Sequence, residues 1–295
     1  LVENPDLEKH RQSQDHIGEL LGNSKEIQYR PVDIDGMDAE WVSVNRAHMK
    51  KYVILHCHGG GYSTGSSIYA RTLTSKLAAG TSMDVLCFDY RLAPEHPYPA
   101  ALEDTIAAYH WLLEQGYPAE KIVVAGDSAG GGLALALCLW LKNHKEPLPS
   151  GVIAMSPWTD LTISGESVET NFEKDPLFGK TRDSMLYNKD YLGDNDPTNE
   201  YISPLFGDYE GFPPLLIQVG SYEMLLSDST RVAKKAKEAG GKVKLSIYEG
   251  MFHVFQMAML LMPESKKAWA EIKRFLHYLD TEENEMQNIS KEEKA

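Results

Sequence analysis

Ile122-Val123-Val124-Ala125-Gly126-Asp127-Ser128-Ala129-Gly130-Gly131-Gly132 is the stretch on which the fold turns. Its opening apolar run does not alternate, as in a strand buried on both faces, and residues 129–141 have the composition and spacing of a helix. Between the two lies G-x-S-x-G, read as Gly126-Asp127-Ser128-Ala129-Gly130. A strand that reverses directly into a helix holds the serine at the corner in a strained backbone conformation. Glycine on either side leaves room for the close approach. The helix N-terminus directs its dipole and its N–H groups toward the serine oxygen. A Gly-Asp-Ser turn that merely caps a helix is the plainer reading, but the strand before it and the helix after it favour a nucleophile at Ser128.

Working outward, similar apolar runs occur at 52–55, 85–88, 152–155 and 215–219. Helical segments separate them, at 70–79, 100–113 and 227–239 in addition to 129–141. A final alternating strand is expected at 243–248, and then a helix starting near Pro263 with Trp269, Ile272, Phe275, Leu276 and Leu279 on one face. Past Asp280 the charged chain is expected to fray. Upstream, 27–34 and 39–44 alternate around Asp35-Gly36, which predicts a hairpin, and the residues up to Gly22 read as a loosely amphipathic helix. Strands alternating with helices imply an α/β domain. Its sheet is mostly parallel, covered on both faces, edged by the antiparallel hairpin, with its site at the carboxyl ends of the strands.

The run His58-Gly59-Gly60-Gly61-Tyr62 follows the 52–55 strand. Consecutive glycines let backbone N–H groups turn inward toward a ligand. Donors aimed at a developing oxyanion are worth about 3 kcal/mol each. Gly60 and Gly61, with Ala129 after the serine, are the expected donors. A phosphate loop is the competing reading, but no Gly-Lys-Ser/Thr follows. A metal on His56 and His58 lacks a clear carboxylate partner, so none is expected.

Together these motifs resemble the bacterial hormone-sensitive-lipase-like family of carboxylesterases. His58-Gly59-Gly60-Gly61 is similar to its oxyanion loop and Gly126-Asp127-Ser128-Ala129-Gly130 to its nucleophile elbow. Asp89-Tyr90-Arg91-Leu92-Ala93-Pro94-Glu95, Tyr98-Pro99-Ala100-Ala101-Leu102-Glu103-Asp104 and Ser156-Pro157-Trp158-Thr159-Asp160-Leu161 extend the likeness. The resemblance implies an α/β-hydrolase fold with an eight-stranded, mostly parallel sheet. It implies one domain over residues 1–295, with a helical cap from about 1–25 and about 165–199. The implied activity is hydrolysis of short- to medium-chain carboxylic esters through an acyl-enzyme, without a cofactor. Within the linking sequence, Asp89 and Arg91 are expected to pair and pin the loop.

A serine hydroxyl is a weak nucleophile until a base takes its proton. His253 lies on the loop after the last strand, where the family keeps its catalytic histidine. The orienting acid should follow the 215–219 strand. Glu223 is the first choice, although the family usually has aspartate there; Asp228 and Asp160 are rivals. Tyr62, Phe178, Tyr187 and Phe252 are the candidates for substrate contact, the aromatics of the 165–199 insertion being suited to an apolar acyl pocket.

The net charge of −14 argues against nucleic acid or an anionic membrane surface as partner. Leu1-Val2-Glu3-Asn4-Pro5 shows no export-signal pattern, and Cys57, Cys87 and Cys138 lie in apolar segments, so a reducing cytoplasmic setting is expected. The alternating last strand offers an edge for a homodimer, with Lys242 and Lys244 opposing it. An amidase of the arylformamidase kind could use the same triad. A non-catalytic receptor on this fold would typically have lost the serine or the histidine, and both are present.

Overall fold

Each apolar run becomes a strand, and the alternation hidden within it is visible once both faces are covered. The computed structural model describes residues 5–48, 52–178 and 189–292. The strands are β1 (Ile27–Ile34), β2 (Met37–Val44), β3 (Val53–Cys57), β4 (Asp84–Phe88), β5 (Ile122–Asp127), β6 (Gly151–Met155), β7 (Leu215–Gly220) and β8 (Val243–Tyr248). They form one sheet in the order β1-β2-β4-β3-β5-β6-β7-β8. β1 pairs antiparallel with β2, and β2 with β4; every other pairing is parallel.

The helices are α1 (Pro5–Gly22), α2 (Ser67–Thr81), α3 (Ala100–Glu114), α4 (Ala129–Asn143), α5 (Ser167–Thr170), α6 (Lys189–Leu192), α7 (Leu226–Glu238) and α8 (Pro263–Glu292). Leu55, Leu86, Val124, Ala154 and Ile217 share one core with α3, α4 and α7. Their neighbours Ile54, Val85, Val123, Ile153 and Leu216 face the other way and pack with α2 and α8. Successive side chains of a strand point to opposite faces. With helices on both sides, every position in β3 to β7 is buried and the sequence pattern goes flat. β8 is the outermost strand and half-buried, which is why its sequence does alternate.

Two expectations are corrected. The charged chain past Asp280, expected to fray, is helical through Glu292. Asp89 and Arg91 do not pair. Asp89 accepts the Ser67 N–H at the start of α2 (2.5 Å), while Arg91 grips Asp104 (2.8 Å) and Glu103 (3.0 Å) on α3. Residues two apart in an extended loop need not converge, and these two reach helices that leave the sheet at different strands.

α1 crosses the loop that follows β3. Arg11 donates from Nε to Ser63 O (2.9 Å) and from Nη2 to Ala93 O (3.0 Å), and it pairs with Glu95 (2.8 Å). Gln14 Oε1 accepts the Gly65 N–H (3.0 Å). Among the described residues, no helix is long and apolar enough to cross a membrane.

Candidate active site

β5 ends in Asp127 and α4 begins at Ala129, so Ser128 alone makes the turn, at φ 55° and ψ −124°. This backbone region is unfavourable for a side-chain-bearing residue and persists only when the surroundings enforce it. They do. The Ser128 N–H donates to Met155 O (2.9 Å) at the end of β6, and Ser128 O accepts from Trp158 (2.9 Å) and Gly132 (3.1 Å). Gly130 shows the steric side of the motif: a Cβ there would lie 2.1 Å from Cys57 O and 2.4 Å from His58 O. Only glycine lets the helix start so close to the loop leaving β3. Ser128 stays partly exposed between the buried Asp127 and Ala129.

β8 ends at Tyr248, and the next turn delivers His253. Gly250 takes φ 71°, and its N–H donates to Ser221 Oγ (2.8 Å) on the loop after β7. The same two loops carry the decisive contact: His253 Nδ1 lies 2.9 Å from Glu223 Oε2. Glu223 is fully buried and His253 is 7 % exposed. The other carboxylate oxygen, Glu223 Oε1, accepts the Gly220 N–H (2.5 Å) and the Ser156 hydroxyl (2.7 Å). Asn171 Nδ2 donates to Glu223 O (2.8 Å) and to Ser221 O (3.0 Å), fixing the Glu223 backbone as well.

The rival acids are engaged elsewhere. Asp228 Oδ2 accepts the N–H groups of Thr159 (2.7 Å) and Asp160 (2.9 Å), and burial pushes its pKa up to about 7. Asp160 binds Arg231 (2.8 Å) and Ser164 (2.6 Å).

The glycine loop lies against the elbow. Gly60 and Gly61 adopt φ 124° and 62°, and Gly60 O accepts from Thr64 N (3.0 Å) and Ser63 N (3.2 Å). Tyr90 donates its hydroxyl to His58 O (2.9 Å) and stacks on the His58 ring at 4.1 Å. Ala129 opens α4, where the first N–H groups of a helix have no partner within it. Burial pushes His56 down to about 3 and His58 to about 4, so both rings are neutral. Among the described residues, no group of three or more His, Cys, Asp or Glu side chains is arranged to hold a metal ion.

The expected substrate contacts divide. The Phe178 ring packs 4.5 Å from the His253 ring, and Phe252 is half-buried beside it in sequence. Tyr187 lies outside the described residues. Tyr62 is 1 % exposed, has φ 63° and stacks at 3.7 Å on Tyr191 of α6.

Residues 54–257 match the alpha/beta hydrolase fold family. The chain belongs to that family. An esterase of Acinetobacter venetianus is 41 % identical over 267 residues, 90 % of this chain and 87 % of that protein. An acetyl-hydrolase of Streptomyces hygroscopicus is 38 % identical, covering 90 % of this chain and 88 % of its own. A crystal structure of an esterase from the bacterial hormone-sensitive lipase family superposes with a TM-score of 0.86 at 37 % identity, covering 95 % of this chain and 99 % of that one. This alpha/beta hydrolase is therefore a serine carboxylesterase of the hormone-sensitive-lipase type.

Sequence reasoning missed Ser156 as a part of the site. It follows β6 directly at φ 49°, donates to Glu223 Oε1 and accepts the Val254 N–H (3.1 Å). One hydroxyl thus ties Glu223 to the residue after His253. The available signal was its place just beyond the carboxyl end of a central strand. A hydrogen bond to a charged group contributes roughly 1.5–3 kcal/mol. Ser156→Ala should lower kcat about tenfold with KM nearly constant, since it loosens only the imidazole's support. Unchanged kcat in Michaelis curves would assign Ser156 to packing alone.

Proposed function

We propose that Ser128 is the nucleophile, His253 the general base and Glu223 the acid that orients the imidazole. The observation that carries this is the 2.9 Å contact between His253 Nδ1 and Glu223 Oε2. It leaves Nε2 as the ring nitrogen for the serine proton. Two backbone contacts support this reading: Ser128 N–H bonds Met155 O, and the adjacent Ser156 holds the residue after His253.

In the first half-reaction Ser128 Oγ attacks the ester carbonyl and its proton passes to His253. The oxyanion forms toward the N–H groups of Gly60, Gly61 and Ala129, and the proton is returned to the departing alcohol. In the second half-reaction water takes the place of the alcohol and the acid leaves. The buried Glu223 carboxylate stabilises the imidazolium in both. No step calls for a cofactor.

The ester class we assign is short- to medium-chain. An acetyl-hydrolase among the relatives supports it, as does Phe178 packed against the His253 ring, which narrows the space beside the base. We assign the cap to about residues 1–25 and 165–199, of which 1–4 and 179–188 lie outside the described residues; the bonds of Arg11 and Gln14 to the β3–α2 loop and of Asn171 to the loop carrying Glu223 support this. The buried, free Cys57, Cys87 and Cys138 suit the cytoplasm. The open edge of β8 is the surface for a homodimer. A series of p-nitrophenyl esters tests the substrate class: kcat/KM should be highest between acetyl and hexanoyl and fall about tenfold or more by palmitoyl. Fastest turnover on emulsified triglyceride would reject it.

A further inference from the structure

The elbow contains a second functional carboxyl that the triad does not use. Asp127 precedes the nucleophile and is buried, yet its contacts point away from Ser128 toward the loop after β3. The backbone N–H groups of Gly59 and of Asp127 itself favour its charged form. The contact with Gly59 is so close that a Cβ on that glycine would lie 2.3 Å from Asp127 Oδ2. His56 on β3 approaches from the sheet side, with Nε2 3.5 Å from Oδ1. Because burial holds the His56 ring neutral, it does not compensate the carboxylate charge.

Burying a carboxyl without a cation is costly, and here burial pushes Asp127 up to about 7 against the pull of the His253 charge and the Gly59 amide. An apolar residue at 127 would avoid that cost, so the position calls for an acceptor. The need arises at Gly59. At Cys57 the chain leaves β3 and its ladder partner Gly126, and the glycine loop has no further strand beside it. Gly59 is the first of the three glycines, immediately before the two amides assigned to the oxyanion.

We propose that Asp127 is a positioning residue whose carboxyl holds the Gly59 amide and thereby aims the Gly60 and Gly61 amides at the oxyanion. This rests on the oxyanion assignment above. Tyr90 on His58 O and the close approach of Gly130 restrain the same loop from other sides, so loss of Asp127 misaligns the donors without unfolding the site. The effect falls on the transition state, not on the bound ester.

The test compares Asp127→Leu and Asp127→Ala, which lack an acceptor, with Asp127→Asn, whose amide oxygen retains one. All assays are run at a single pH of about 8. The readouts are kcat and KM on p-nitrophenyl butyrate and the inhibition constant of a trifluoromethyl ketone, which forms a tetrahedral oxyanion on the serine. The Leu and Ala variants should lose roughly 10- to 100-fold in kcat, and in ketone affinity by the same factor, with KM within about threefold. The Asn variant should remain within about fivefold of wild type on both. Leu and Ala variants with wild-type kcat and ketone affinity overturn the proposal, as does an Asn variant no better than Leu. If wild-type protein itself does not bind the ketone, the site reading fails instead. A variant-free measurement completes the test: by NMR, the Gly59 N–H of the wild-type protein should exchange slowly with solvent, and exchange at the rate of an unprotected amide also overturns the role.

Discussion

Glu223→Gln is expected to lower kcat on short p-nitrophenyl esters about 10⁴-fold, while Asp228→Asn leaves it within about threefold of wild type. The isosteric amide keeps the volume of Glu223 and can still accept the Ser156 hydroxyl and the Gly220 N–H. What it loses is the negative charge beside His253 Nδ1 and the acceptor that selects the tautomer. An amide whose NH₂ faces Nδ1 forces the proton onto Nε2, where it blocks acceptance of the serine proton. KM should change little, because the acid does not touch the ester. Asp228 works differently: it receives two backbone N–H groups from the β6–α5 loop, and one amide oxygen can accept both. Steady-state kinetics of the two variants separate these roles, and loss of activity on Asp228→Asn alone would move the acid to α7.

Ser128→Ala should reduce kcat about 10⁶-fold, leaving only the rate supplied by binding and the oxyanion donors. The fold should tolerate the change. The hydroxyl is partly exposed, and the strained backbone is held by Met155 O, Trp158 N and Gly132 N, none of which involves the side chain. Thermal unfolding of this variant should therefore match wild type within a few degrees, on the order of the effect of a surface substitution. A variant equally inactive but strongly destabilised would assign Ser128 to architecture instead of chemistry.

The strands, the helices and the strand-to-helix turn at Ser128 were legible from the sequence because each is a local pattern. A flat apolar run means two covered faces, as in β3 to β7. A serine between glycines at a strand-to-helix junction has few other uses. The supports of the site were not legible, because they depend on which strands are neighbours. β3 lies beside β5 although β4 separates them in sequence, and that placement brings Gly59 against Asp127. Likewise β6 lies beside β7, so Ser156 meets Glu223, 67 positions away. Aromatic type does not tell surroundings apart for the same reason. Tyr62 and Phe178 look alike as candidates, but one is stacked in the core on Tyr191 and the other faces the histidine. The Asp89–Arg91 expectation erred by taking closeness in sequence for contact, when Asp104 and Ser67 were nearer in space.

Covalent labelling tests the central claim most directly. Treated with diethyl p-nitrophenyl phosphate and digested for mass spectrometry, the protein should carry one diethylphosphoryl group, on Ser128, with activity lost in proportion to occupancy. An adduct on any other residue, or full activity with Ser128 modified, would contradict it.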